Sequence, residues 1–93
     1  VILPTILKFN HNHVGNKYSR IASSMGINKS ANLADEITKL NEIIGIPNGL
    51  AEMGITEDMI PELVKHSITD PSNITTPRLP TEKEWENLFL EAM

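Results

Sequence analysis

The chain of 93 residues has no cysteine, which excludes a disulfide framework and any thiolate metal site. Aromatic residues are scarce, at one Trp, one Tyr and two Phe, so a core must be assembled from Leu, Ile, Met and Ala. Positive charge is scarce too. Eight Lys and Arg stand against twelve Asp and Glu, and the net charge is -4. The basic residues are scattered singly, without the concentrated face that nucleic acid or an anionic membrane surface requires. A helix-turn-helix DNA binder fails on the same ground. No apolar run approaches the length of a membrane span, and nothing reads as a signal peptide. The missing cysteine fits a reducing, cytoplasmic compartment. No stretch alternates with period two for long enough to make a strand. The five glycines form neither G-x-G-x-x-G nor G-x-x-x-x-G-K-[ST], and no serine lies in a nucleophile elbow.

What is present is helical punctuation. Ile2, Leu3, Ile6 and Leu7 share one helical face, with Pro4 in a first turn and Phe9-Asn10 at the end. Asn16 is placed to cap a second helix, in which Tyr18, Ile21, Ala22 and Met25 form one face before Gly26 stops it. Ser30 or Asn32 opens a third helix. Its stripe is Leu33, Ile37, Leu40 and Ile44, widened by Ala34 and Ile43, and Gly45 and Pro47 end it. Glu36 and Lys39 lie one turn apart outside the stripe. Residues 49–53 read as one short turn closed by Gly54. Thr56 or Asp58 caps the next helix, and Asp58 is preferred because it puts Pro61 in the first turn. Met59 or Ile60, Leu63, Val64 and Ile68 are expected inward. Residues 69–80 hold three prolines and read as an extended loop. Thr81 and Glu84 make a T-x-x-E capping box for the last helix, whose stripe is Trp85, Leu88, Phe89 and Ala92. The fold class is all-α, about five amphipathic helices joined by short loops.

The chemical inventory is nearly empty. His11 and His13 form an H-x-H pair, but no third ligand completes a metal site, and a solvated loop is the preferred reading. The pair lacks the ββα setting of a nuclease motif. His66 sits near a helix end, where the dipole favours a cation. The acidic residues fall on polar faces or caps, and no carboxylate pair for acid–base work stands out. Val1-Ile2-Leu3-Pro4 opens on an uncapped apolar run, which leads to the expectation that a preceding segment has been removed.

In order and spacing, these marks resemble the C-terminal helical domain of the iron-containing (group III) alcohol dehydrogenases. The resemblance covers residues 1–93. It rests on Val1 to Pro4 with Leu7 to Asn10, on Lys17 to Ala22 with Met25-Gly26, and on Leu40 to Pro47. It continues through Leu50 to Leu63, Asp70-Pro71, Thr76-Pro77-Arg78 and Thr81. The resemblance implies an enzyme that interconverts alcohols and aldehydes or ketones. Such an enzyme has an NAD- or NADP-binding α/β domain and a helical domain holding iron or zinc. The family's ligands are one Asp and three His, and the last His lies just before the Leu-Pro segment. All four ligands, and the dinucleotide fold, are therefore expected upstream of Val1. Residues 1–93 then carry no catalytic, cofactor or metal residue of their own and are expected to be inactive alone.

His11, His13 and His66 match no ligand position. Thr5 stands where the family often has His, at a position that is not a ligand. Ser72 stands where the family often has Cys close to the substrate cleft, which makes Ser72 the one candidate pocket residue. Thr76 replaces a commoner Asn, and Arg78 is expected to tie its loop to helix C-terminal carbonyls. The expected partner is the remainder of the dehydrogenase chain, and the Ile2-Leu3-Ile6-Leu7 face suggests association into a dimer or partial aggregation. The alternative is a free-standing helical module that offers an apolar face as a partner groove. A gene that continues upstream into a His-Gly motif and a Gly-rich turn separates the first reading from the second.

Overall fold

A computed structural model describes residues 1–28 and 32–93. The described residues form helices α1 (Leu3–Asn10), α2 (Lys17–Ser24), α3 (Leu33–Ile44), α4 (Ile60–Ile68) and α5 (Glu82–Ala92). Four short 3-10 turns join them, and no strand occurs among the described residues. The all-α architecture of five helices is therefore as the sequence implies.

Helix α1 packs on α3 and α5, α4 packs on α5, and α2 touches α3. The body measures 39 × 30 × 18 Å. Its short dimension is under two helix diameters of about 10–12 Å. A layer this thin cannot enclose large side chains, and none is fully buried among the described residues. The core is made of Val14, Ala22, Leu33, Ala34, Ile60, Val64, Leu88 and Ala92.

Helix ends follow local chemistry. Pro4 and Pro61 both sit in first turns, where a missing N–H costs nothing. Gly26 and Gly45 take φ of +75° and +80°. This lets the chain fold back so that Ile27 N–H donates to Ala22 O (2.8 Å) and Ile46 N–H to Asn41 O (2.9 Å). Asn32 caps α3 by accepting from Asp35 N–H at 3.3 Å, while the alternative cap, Ser30, lies outside the described residues. Lys39 and Glu36 form the expected one-turn ion pair at 3.1 Å. Thr81 and Glu84 form the complete capping box of α5.

Several local expectations are corrected. Asn16 occupies the cap position of α2 but accepts no side-chain hydrogen bond. Asp58 does not cap α4. It lies inside a 3-10 turn, Glu57–Met59, that starts after Thr56 and runs directly into α4. A 3-10 lead-in supplies the first backbone bonds, so no side-chain cap is needed there. Residues 69–80 are not extended throughout, because Pro71–Thr75 form a further 3-10 turn. Of the apolar stripes, only parts are covered. Met25, Met59 and Ile68 are exposed, and α3 buries Leu33 and Ala34 while Leu40, Ile43 and Ile44 stay exposed.

Candidate functional site

The segment between α4 and α5 carries Ser72 and is held at both ends by its own side chains. At its start Asp70, in extended conformation, accepts a hydrogen bond from Ser72 N–H at 2.8 Å. An Asx turn of this kind is what Asp-Pro favours. Its hydrogen bonds from Ser72, the backbone one foremost, hold the Asp70 carboxyl below the usual carboxylate range. Asn73 then reaches back to α4, its Nδ2 donating to Ser67 O (2.7 Å) and Ile68 O (3.3 Å). These two carbonyls are among those left without intrahelical partners at a helix C-terminus.

At the far end Thr76 Oγ1 donates to the Arg78 carbonyl at 3.2 Å. The Arg78 guanidinium lies 4.1 Å from the centroid of the Phe9 ring at the end of α1. It also pairs with Glu84 in the first turn of α5. A single cation thus joins the loop, α1 and α5. The Glu84 carboxyl is held below its ordinary value, first by the Thr81 backbone hydrogen bond and then, against some desolvation, by the Arg78 charge. Arg78 therefore works as a structural anchor, but through an aromatic face and a carboxylate rather than through helix C-terminal carbonyls.

Between these anchors Ser72 is exposed, with its carbonyl accepting from Thr75 Oγ1 at 3.2 Å. Ile74 stands almost fully in solvent, at 88% exposure. The loop is thus a tied-down surface on which Ser72 and Thr75 are exposed together with the apolar side chains of Ile74 and Leu79. Elsewhere on α1, Tyr18 OH donates to Leu7 O (2.9 Å) and joins α2 to α1. Burial pushes the Tyr18 phenol above its ordinary pKa.

The histidines do not converge. His11 and His13 lie in an exposed 3-10 turn after α1, with the His11 ring 6.2 Å from that of Tyr18. His66 is in the last turn of α4, 3.5 Å from the exposed Glu62. Among the described residues no three His, Asp or Glu side chains are grouped to hold a metal ion. These residues do not fit an iron or zinc centre, so no step of metal chemistry is assigned to them. No helix among the described residues is long and apolar enough to cross a membrane. Sequence reasoning missed the Asn73 clamp and the Phe9–Arg78 contact. Asp70-Pro71 signalled a turn at the first, but nothing local signals the second.

Residues 1–93 match the model of the Fe-containing alcohol dehydrogenase family, C-terminal. The chain is 31% identical to 1,3-propanediol dehydrogenase of Citrobacter freundii, over 99% of this chain and 26% of that protein. It is 29% identical to lactaldehyde reductase of Escherichia coli K12, over 96% of this chain and 25% of that protein. Identity to 4-hydroxybutyrate dehydrogenase of Cupriavidus necator is 25%, over all of this chain and 25% of that protein. The chain thus spans about a quarter of the length of these relatives. No solved structure matches it. The match along residues 1–93, in the helical order that the structure displays, places the chain in the iron-containing alcohol dehydrogenase family, as C-terminal sequence of that family.

Proposed function

We propose that residues 1–93 are the distal part of the helical domain of a metal-dependent, NAD(P)-linked alcohol dehydrogenase or aldehyde reductase, and are inactive by themselves. The observation that carries this reading is the family match over all 93 residues, joined to a structure without a grouped ligand set among its described residues. In this reading the metal ligands and the dinucleotide site belong to other sequence of the same enzyme, which is the partner of this chain. Iron or zinc held by that other sequence would supply Lewis-acid polarisation of a substrate oxygen, and a nicotinamide bound there would supply or accept hydride. The present residues give the helical wall and the anchored loop. Asp70, Asn73 and Arg78 fix that loop, and Ser72 offers a hydroxyl to the substrate cleft, where a small polar side chain suits an alcohol or carbonyl oxygen. The compartment that fits this chemistry is the cytoplasm.

The test uses the purified chain with NAD or NADP, iron or zinc, and simple alcohols and aldehydes. No turnover and no stoichiometric metal uptake are expected. Turnover, or one metal ion retained per chain in equilibrium dialysis, would overturn the assignment of the ligands to other sequence. A positive arm exchanges this segment for the matching quarter of lactaldehyde reductase. The chimaera is expected to keep reductase activity, and its Ser72→Ala variant to show a changed KM for the carbonyl substrate.

A further inference from the structure

Nine asparagines occur in the sequence, and Asn48 alone is followed by glycine. Asparagine is among the thermolabile residues, because its side-chain amide carbon lies within reach of the next backbone nitrogen. A side chain on the following residue hinders that approach, and glycine has none. Asn48-Gly49 lies between Pro47 and the 3-10 turn Leu50–Met53.

The fold leaves this pair open to reaction. Asn48 is exposed, and its side chain has no hydrogen bond among the described residues. Only its backbone N–H is held, by the Glu52 carboxylate at 3.1 Å. The Gly49 N–H, on the nitrogen that must react, donates to no acceptor among the described residues. Other asparagines are restrained. Asn10 is buried, and Asn41 and Asn87 sit inside α3 and α5, where the next N–H is committed to the helix. The side chain of Asn32 caps α3, and that of Asn73 is held by Ser67 and Ile68.

We propose that Asn48 is a self-modification site, which deamidates through a cyclic imide with Gly49, and that the isoaspartyl product releases the C-terminal end of α5. The Gly49 nitrogen gives its proton to hydroxide and bonds to Asn48 Cγ. The Cγ–Nδ2 bond breaks, and Nδ2 leaves as ammonia with a proton drawn from water. Water then adds across either C–N bond of the ring. Opening on the Cγ side leaves aspartate, and opening on the backbone carbonyl side leaves isoaspartate, whose main chain runs through Cβ and Cγ. One water enters and one ammonia leaves, with no change of oxidation state. Isoaspartate lengthens the backbone by one methylene directly before Gly49. There is no slack at that point: a Cβ on Gly49 would overlap the Met93 carbonyl, whose oxygen accepts from Ala51 N–H at 3.1 Å. A displaced Gly49 pushes this carbonyl away and breaks that bond. The inference needs nothing from the dehydrogenase reading.

Peptide mapping by mass spectrometry follows the full chain held in mildly alkaline buffer made with heavy-oxygen water. Asn48 is expected to take up heavy oxygen before any other asparagine, as a mixture of aspartate and isoaspartate. Its rate is expected within about tenfold of that in the urea-unfolded chain, because loop segments open at little cost. Asn48→Gln keeps the amide but must close a larger ring, and is expected to stay unmodified. Amide hydrogen exchange reads the consequence. Protection of the Ala51 amide is expected to fall roughly tenfold in the isoaspartyl fraction. It is expected to persist in incubated Asn48→Gln, and in Asn48→Asp, which carries the new charge without the extra methylene. An Asn48 that stays intact in the folded chain, faster reaction at another asparagine, or unchanged Ala51 protection in the isoaspartyl fraction would each overturn the proposal. Equal loss of protection in Asn48→Asp would overturn it too, by assigning the effect to charge beside Glu52.

Discussion

Arg78 is bound to Glu84, the residue that completes the capping box of α5. One carboxylate oxygen of Glu84 accepts from Thr81 N–H at 3.1 Å, and the other takes the guanidinium. Thr81 Oγ1 in turn accepts from Glu84 N–H at 3.2 Å. The start of the last helix and the end of the Ser72 loop therefore share one group. Because Arg78 also covers Phe9, the first and last helices are joined at the same point.

Removing either neighbour of Glu84 should weaken the other. Thr81→Ala is expected to destabilise the chain by about 1 kcal/mol through the lost cap. Arg78→Ala is expected to cost about 1 kcal/mol through the lost ring contact and pairing. The double variant should deviate from additivity by about 0.5 kcal/mol, since both act on one carboxylate. Urea unfolding of the four proteins measures this, and a strictly additive cycle would mean that cap and anchor are independent.

Acid should loosen this node. Glu84 and Asp70 both have carboxyls held below their ordinary values of 4.5 and 3.8 by hydrogen bonds that exist only in the folded chain. The folded protein therefore binds these protons less readily than the unfolded one. The resulting stability is present above the ordinary values and is lost as pH falls below about 4.5 toward the depressed folded ones. Thermal melts between neutral pH and pH 3 should show a decline. Asp70→Asn and Glu84→Gln should each flatten it and lower stability at neutral pH. An unchanged slope in both variants would remove these carboxylates from the acid response.

The elements that were legible in the sequence are those whose signals are local. Gly26, Gly45 and Gly54 stop helices because only a residue without Cβ enters positive φ freely, and each has φ between +75° and +88°. The Thr81–Glu84 box depends on residues three apart, and its geometry is as the pattern implies. Burial was less legible. Periodicity says which residues share a face, but coverage depends on what lies opposite. The stripe of α3 is periodic along its whole length, yet only Leu33 and Ala34 are buried. For the same reason Asp58 resembled a cap until the 3-10 turn before α4 was visible. In the candidate site, Ser72 and the Asp-Pro turn could be picked out, whereas the Phe9–Arg78 contact joins residues from opposite ends of the chain and left no local mark.

Gly49 should be the least replaceable glycine for a reason unlike the others. Its φ is an ordinary -154°, so backbone strain plays no part. A Cβ placed there would sit 2.2 Å from the Met93 carbonyl oxygen, and Ala51 N–H donates to that same oxygen at 3.1 Å. Gly49→Ala must push the end of α5 away and break this bond. Gly45→Ala meets no atom within 4 Å and suffers only from its positive φ. That penalty is about 1–2 kcal/mol. Thermal unfolding should therefore rank Gly49→Ala as the more damaging, with protection of the Ala51 amide against hydrogen exchange lost only in that variant.

Trp85 separates two contributions of one side chain. Its ring stacks on Phe89 at 6.1 Å between centroids, inside the seam of α5. Its Nε1 is buried with no hydrogen-bond partner among the described residues. Trp85→Ala forfeits the packing, and because the residue is only half-buried the loss should be about 2–3 kcal/mol, under the roughly 3–5 of a fully enclosed aromatic. Trp85→Phe keeps most of the stacked surface and deletes the unsatisfied donor, whose burial costs about 1–3 kcal/mol. The two terms oppose, so Trp85→Phe is expected within about 1 kcal/mol of the parent chain in urea unfolding. If Phe proved nearly as harmful as Ala, the indole N–H would have to be satisfied in solution and the stability of α5 would rest on that bond rather than on ring packing.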